Sequence, residues 1–332
     1  MTFLKTVLRE DSAKDTLERF GADVRAGLTR SDKQVSSRYF YDEVGGEIFH
    51  QITQLPEYYL SRAEWQVLAE HADEIFTFPG EDFFNLIELG SGCSDKTRLM
   101  LENMSMRKRP FVFMPIDTDQ SVINRLGECV QSEWVLSTPI PFHALIGEYM
   151  MGLNWIKENN PYAPKFIVFL GSNLGNFTHE DAVQFLKQIR QTLMFGDQLL
   201  IGFDRKKNVR MIHRAYDDPR GVTRQFNMNL LTRMNRELGA NFDHGLFTHY
   251  PYYDFDIGGM VSHLVSNKQQ TVTLKKLNLN VKFAAGEPIR TEYSRKFSIS
   301  DIEWLAELSG FKVVKHYSHQ DELFTDSLWT VA

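Results

Sequence analysis

An acidic residue that closes an apolar run and is followed at once by glycines is the feature of this chain with the clearest chemical meaning. Leu86-Ile87-Glu88-Leu89 leads into Gly90-Ser91-Gly92-Cys93-Ser94-Asp95-Lys96. The apolar run suits a buried parallel strand. Two glycines two apart permit a tight turn and let a ligand approach the backbone, because neither carries a Cβ. Ser94 is a suitable N-cap for a helix beginning near Lys96 and Thr97. The spacing falls short of the G-x-G-x-x-G that cradles a dinucleotide pyrophosphate. A ligand without phosphates fits such a turn better, and S-adenosylmethionine is the candidate.

Further polar residues stand where strand ends are expected. Asp117 closes the apolar run Phe111–Ile116, where a carboxylate would accept from ribose hydroxyls or serve only as a turn acid. Glu148 follows a weaker strand over Pro141–Ile146 and could accept from an exocyclic amine. The strong strand Phe166–Leu170 runs into Gly171-Ser172-Asn173-Leu174-Gly175-Asn176. Asn176 offers both donors and an acceptor, as an amino acid's carboxylate and amine require. It could equally form an Asx turn before a helix starting at Thr178. Near the N-terminus, Tyr39, Phe40, Tyr41, Phe49, Tyr58 and Tyr59 form an aromatic cluster rich in hydroxyls. Buried hydroxyls need partners, so a polar, aromatic-lined pocket for a cation competes here with a plain core.

The elements that must position these residues alternate as strand and helix from about residue 63 to 206. A fifth strand is expected over Gln198–Phe203. Residues 207–296 break the pattern, helical at first and strand-like around Met260–Val265 and Val272–Phe283. A helix near Ile302–Leu308 then precedes strands over Phe311–Tyr317 and Ser327–Val331. These last two are joined too closely for a helical crossover and should form an antiparallel hairpin at the sheet edge. Five parallel strands finished by a reversed hairpin is similar to the class I methyltransferase sheet.

Composition narrows the class. The formal charge of −6 comes from well-mixed signs, which disfavours nucleic acid as a partner. The basic runs Arg107–Arg109 and Arg205–Lys207 suit solvated helix ends or loops. Cys93 and Cys129 are the only cysteines, too few for a disulfide framework or a zinc site, so no metal is expected. Cys93 meets the turn's need for a small side chain. No long apolar segment suggests a signal peptide or a membrane span. A cytoplasmic, monomeric protein with no membrane partner is the expectation.

Longer motifs carry a resemblance. Tyr39-Phe40-Tyr41-Asp42, Gly45, Phe49, Ile52-Thr53 and Leu55-Pro56-Glu57-Tyr58-Tyr59 open a pattern that continues through Glu88–Gly92, Phe169–Ser172 and Gly175-Asn176. Arg214–Asp218, Asn235–Leu238 and Phe283–Glu287 with Thr291-Glu292 complete it. The chain resembles, over essentially its whole length, the histidine-specific Nα-methyltransferases of ergothioneine biosynthesis. The resemblance implies an α/β, Rossmann-like class I methyltransferase domain with a reversed last strand, formed by 63–206 and 297–332, that binds S-adenosylmethionine. It also implies a substrate-binding α+β domain, formed by 1–62 and 207–296. Gly90, Lys96 and Asp117 match cofactor residues, and Glu148-Tyr149 stands where the family more often has Asp-Phe. Tyr58, Asn176 and Tyr216 match residues that hold the amino acid's α-amino and carboxylate ends. Tyr41, Phe49 and Gly171 match nearby pocket positions, with Tyr41 the candidate for contacting the amine or assisting proton loss. Glu292 and Ser294 match the pair that grips the imidazole ring, and Met260 lines that side.

The implied activity is stepwise Nα-methylation of L-histidine, through its methylated intermediates, to Nα,Nα,Nα-trimethylhistidine (hercynine). The alternatives are an Nα-methyltransferase of another aromatic amino acid such as tryptophan, and a non-catalytic cofactor-binding interaction module. Glu292 argues against tryptophan, because an acid facing a mostly apolar indole would be left partly unpaired. The clamp formed by Asn176, Tyr216 and Glu292 argues against a pure scaffold.

Overall fold

The computed structural model describes residues 3–8, 13–77, 83–92, 94–107 and 109–331. Cys93 of the glycine turn and Lys108 of one basic run lie outside them. The chain divides into two compact units, one of Met1–Glu10, Leu60–Arg205 and Phe297–Ala332 and the other of Asp11–Tyr59 and Lys206–Lys296.

The first unit is built on parallel strands β1 (Phe3–Val7), β2 (Phe84–Leu89), β3 (Phe111–Asp117), β4 (Phe142–Ile146), β5 (Lys165–Phe169) and β6 (Gln198–Asp204). With the C-terminal strands Lys312–Ser318 and Phe324–Thr330 they make an eight-stranded sheet. Its order runs β1, β4, β3, β2, β5, β6, then Phe324–Thr330, then Lys312–Ser318 at the edge. Phe324–Thr330 is antiparallel to both of its neighbours, so the last strand in sequence is the reversed one. β2, β5 and β6 are buried throughout, as strands covered on both faces must be. One face packs against the helices Leu60–Glu70, Asp95–Met106 and Gln120–Glu128 through Val67, Met100, Leu126, Phe113 and Phe166. The other packs against Tyr149–Asn159, His179–Thr192 and Ile299–Ser309 through Ile156, Leu186, Leu305, Ile167 and Phe203. Ser94 caps the helix after β2 by accepting from Thr97 N at 3.2 Å.

The N-terminal segment departs from expectation. Residues 1–62 do not all fall in the second unit, for Phe3–Val7 pairs in parallel with β4 and Met1–Glu10 belongs to the first unit. The open edge of β4 accounts for this, since an unpaired edge strand accepts another strand readily. Phe3 stacks on Phe142 with ring centroids 4.6 Å apart. A Cβ on Gly127 would stand 2.5 Å from the Phe3 ring, so the glycine makes room for it.

The second unit holds a three-stranded antiparallel sheet, β7 (Phe247–Asp254), β8 (Gly259–Ser266) and β11 (Pro288–Arg295), with β8 central. β9 (Gln270–Leu274) and β10 (Leu279–Phe283) form a separate hairpin, where the sequence suggested one strand. Asn278 turns it at φ +46°, a left-handed conformation that asparagine tolerates. Pro251 sits on the edge strand β7, where proline costs no ladder hydrogen bond. Phe20, Val24, Phe40, Leu231, Met234, Val272 and Ile289 form the core of this unit. No helix among the described residues is long and apolar enough to cross a membrane.

Gly202 of β6 leaves space that the Glu64 carboxylate fills, for a Cβ there would stand 2.3 Å from Glu64 Oε1 and 3.0 Å from the Phe324 ring. Glu64 is held by two partners and cannot swing clear without losing them. Gly202→Ala is therefore expected to destabilise the protein by about 1–3 kcal/mol, the usual range for overpacking, as measured by urea denaturation.

Candidate active site

In the first unit the carboxyl ends of β2, β3, β4 and β5 bring five of the expected residues together. Gly90 adopts φ +75° after β2, and a Cβ there would stand 2.6 Å from Tyr149 Oη. Both the backbone and the neighbouring phenol thus demand glycine. Asp117 ends β3, and its Oδ1 accepts from Asp119 N at 2.9 Å. Burial pushes its carboxyl up to about 6, so it is mostly ionised at neutral pH and acts as an acceptor. Glu148 occupies the N-cap position of the helix Tyr149–Asn159 without capping it through its side chain. Burial raises the Tyr149 phenol further, with the charges of Asp117 and Glu148 adding to the effect. Gly171 turns at φ +82° after β5, and Asn173 of the same turn donates to Leu170 O at 2.9 Å.

Lys96 is placed differently from a residue that simply faces a ligand. Its ammonium pairs with Glu64, which is buried, and Glu64 Oε1 also accepts from Gly171 N at 2.6 Å. Asp326 of the reversed strand is fully buried in the same cluster, and neither of its oxygens has a hydrogen-bond partner among the described residues. Burial, reinforced by the Glu64 charge, holds the Asp326 carboxyl well above the usual range. Glu64 and Asp326 escaped sequence reading because each is an acid among other polar residues of its element, with no motif to mark it.

Asn176 ends the short helix Asn173–Asn176, and the following helix is capped by Thr178, whose Oγ1 accepts from Asp181 N at 3.2 Å. The Asn176 side chain makes no hydrogen bond among the described residues, which removes the support for a turn-forming role.

In the second unit Tyr41, Phe49 and Tyr58 meet as rings. The Tyr41 and Phe49 centroids lie 5.4 Å apart, and those of Phe49 and Tyr58 6.2 Å apart, both edge-on. Phe226 packs on Tyr41 at 5.5 Å and on Phe49 at 5.9 Å. Its apolar helix position gave no functional signal in the sequence. Tyr39 is a core residue whose hydroxyl donates to Asp23 at 2.6 Å.

The remaining residues converge through strand register. Ser294 pairs across the sheet with Met260, and Glu292 with Ser262. Ser294 Oγ lies 2.5 Å from Tyr216 Oη, and Lys296 Nζ donates to both hydroxyls, at 2.7 and 2.9 Å. Glu292 keeps some accessible surface while its carboxyl is enclosed. Burial pushes that carboxyl up to about 7, against the opposing effects of the Lys296 charge and the Ser262 hydroxyl. Lys296 is the member of this group that residue-by-residue matching passed over.

Residues 20–331 match the family described as histidine-specific methyltransferase, SAM-dependent. The chain belongs to that family. It is 40% identical over 306 residues to a histidine N-alpha-methyltransferase of Mycolicibacterium smegmatis, covering 92% of this chain and 91% of that one. A histidine N-alpha-methyltransferase of Mycobacterium tuberculosis is 38% identical over 290 residues, 87% of each chain. Ergothioneine biosynthesis protein 1 of Neurospora crassa is 30% identical over 293 residues, 87% of this chain and 32% of that one. The chain is thus an S-adenosylmethionine-dependent methyltransferase, and the non-catalytic alternative falls away.

Glu88, in the family's glycine motif, is buried on β2 and accepts from Thr97 Oγ1 at 2.9 Å. Burial pushes its carboxyl up to about 7 in spite of this bond. An unfolded glutamate titrates near ~4.3, so between these values the folded protein binds more protons and Glu88 lowers stability as pH rises. Relative to wild type, Glu88→Gln is expected to gain stability from pH 4.5 to 7, by up to about 3 kcal/mol. Urea midpoints of both proteins across that range check this.

Proposed function

We propose that this chain methylates the α-amine of L-histidine stepwise to hercynine, with the first unit holding the cofactor and the second supplying the grip on the ring. The observation that carries the histidine assignment is the polar pair Glu292 and Ser294, with Ser294 held by Tyr216 and Lys296 and paired across the sheet with Met260. An imidazole presents two ring nitrogens, and a site built to hydrogen-bond them rejects rings that lack them.

The residues at the strand ends fit S-adenosylmethionine. The turn at Gly90 excludes a side chain beside the part-buried Tyr149 phenol, and an ionised Asp117 suits ribose hydroxyls. Gly90, Lys96, Asp117, Glu148 and Tyr149 would hold the cofactor, which supplies an electrophilic methyl group on a sulfonium. Glu148 is one methylene longer than the aspartate more common in the family, and it keeps a carboxylate for an exocyclic amine.

The amine must be neutral to attack, and free α-amino groups titrate near ~7.7–8.0. A strong side-chain base is therefore unnecessary, and rate comes chiefly from orientation and proximity. By the family resemblance, Asn176, Tyr58 and Tyr216 would hold the α-amino and carboxylate ends of the amino acid, and Phe49 and Gly171 would take pocket positions. Tyr41, 47% exposed at the edge of the aromatic cluster, would contact the amine or assist proton loss. Because the same nitrogen must attack again after each transfer, the grip belongs on the carboxylate and ring. A cytoplasmic monomer acting on this small molecule, without nucleic acid or membrane, completes the reading.

Turnover by purified enzyme of histidine against a panel of amino acids, followed by mass spectrometry, tests the assignment. Histidine is expected to be trimethylated and preferred, and preference for tryptophan would overturn the histidine reading. Glu292→Ala is expected to lower the histidine-to-tryptophan ratio of kcat/KM by at least about tenfold, equivalent to ~1.4 kcal/mol. Asn176→Ala should weaken histidine binding by about 1.5–3 kcal/mol, the range for a hydrogen bond to a charged group. Calorimetry with histidine reads this directly.

A further inference from the structure

Lys296 directly follows the strand that carries Glu292 and Ser294, and only 2% of its surface is exposed. Burying an ammonium is costly unless it is well partnered. Here Nζ donates to Ser294 Oγ at 2.7 Å and to Tyr216 Oη at 2.9 Å, and it stands 4.8 Å from the centre of the Tyr216 ring. The residue is anchored at its backbone, where its N–H donates to Gly258 O at 3.0 Å.

Donor counting gives this triangle a direction. An ammonium has donors only, so both hydroxyl oxygens accept from it. Each hydroxyl owns one hydrogen, and the 2.5 Å contact between Tyr216 and Ser294 uses one of the two. The other hydroxyl hydrogen must point out of the triangle. The phenol is the more acidic of the two hydroxyls, so Tyr216 donates to Ser294 and the pair presents the Ser294 hydrogen as its donor. Glu292 supplies the opposite character. The groups that act on its carboxyl are Lys296, beyond the end of its own strand, and the Ser262 hydroxyl of β8 at 3.5 Å. The nearby pair of Thr291 and Asn227 is uncharged and bonded to itself at 2.7 Å. Lys296 thus carries the positive charge that favours the ionised, accepting form of Glu292. A neutral imidazole has one N–H donor and one bare nitrogen acceptor, and it needs one partner of each kind.

We propose that Lys296 is the positioning residue of the ring site, holding the Tyr216–Ser294 hydroxyl pair as a hydrogen-bond donor and Glu292 as a hydrogen-bond acceptor. This rests on the histidine reading above. It goes further in making the ring's donor and acceptor pattern depend on a lysine that does not itself need to touch the ring.

Lys296→Met removes the charge and the donors while keeping an unbranched stem, and Lys296→Arg keeps both. The wild type and both variants would be compared in KM and kcat for histidine. The Glu292 carboxyl would also be titrated by carbon NMR in the substrate-free protein. Lys296→Met is expected to raise the histidine KM at least tenfold and to move the Glu292 midpoint to higher pH. Lys296→Arg should restore the midpoint and part of the KM. Cofactor affinity by calorimetry, which depends on residues of the first unit, should be unchanged, and a circular dichroism spectrum that matches wild type reports a folded variant. Should Lys296→Met fail that check, Lys296→Gln takes its place with the same expectations. A histidine KM within twofold of wild type, or an unmoved Glu292 midpoint, overturns the proposal. If the wild type prefers another amino acid, the histidine reading fails. The Glu292 midpoint, read without substrate, then still decides whether Lys296 sets the charge of that site.

Discussion

The Glu64 carboxylate is the interaction on which the first unit's strand ends depend. One of its oxygens accepts from the Gly171 backbone and the other pairs with Lys96. A single buried group thus joins the helix after β2 to the turn after β5. The arrangement requires Gly202 to have no side chain, and it places Asp326 beside Glu64 from the reversed strand. Two carboxyls so close and so dry cannot both ionise cheaply. Glu64 has a cation and an N–H against it, whereas Asp326 has no hydrogen-bond partner among the described residues, and burial holds the Asp326 carboxyl well above the usual range. The reversed C-terminal strand therefore completes the sheet and also brings a second buried carboxyl beside Glu64.

The second unit solves a similar problem with different parts. Its polar residues are brought together by strand register, which sets Ser294 opposite Met260 and Glu292 opposite Ser262. A one-residue slip in β11 would send Glu292 and Ser294 to the other face. The irregularity between Arg290 and Glu292 lets the pairing shift once without losing that alignment. Lys296 then ties strand to helix by donating to one hydroxyl from each. In both units a buried lysine or acid holds two separate elements together.

Burial also tunes the acids. Asp117, Glu88 and Glu292 are all pushed upward, to about 6, 7 and 7, and desolvation is the leading cause in each. Neighbouring hydroxyls and lysines pull two of them back toward ionisation. Carboxyls poised in this way change their hydrogen-bond character within the range where an α-amine also titrates.

The local signals of the chain were sufficient to determine a great deal. Apolar runs, the glycine turn at Gly90, the Ser94 cap and the closely spaced final strands specify the α/β sheet with its reversed last strand, because each depends on nearest neighbours or a short period. Motif matching likewise marked Asp117, Asn176, Tyr216, Glu292 and Ser294. Tertiary structure alone decided what completes those residues. The pairing of Phe3–Val7 with β4 depends on an edge more than a hundred residues away in sequence. β7 and β11 were missed because their alternation is interrupted by Pro251 and by the bulge before Glu292. Glu64, Asp326, Phe226 and Lys296 have no local signature. Each gains its meaning only when folding removes water and places it within a few ångströms of groups distant in the chain, and that proximity is what makes a charge or a hydroxyl specific.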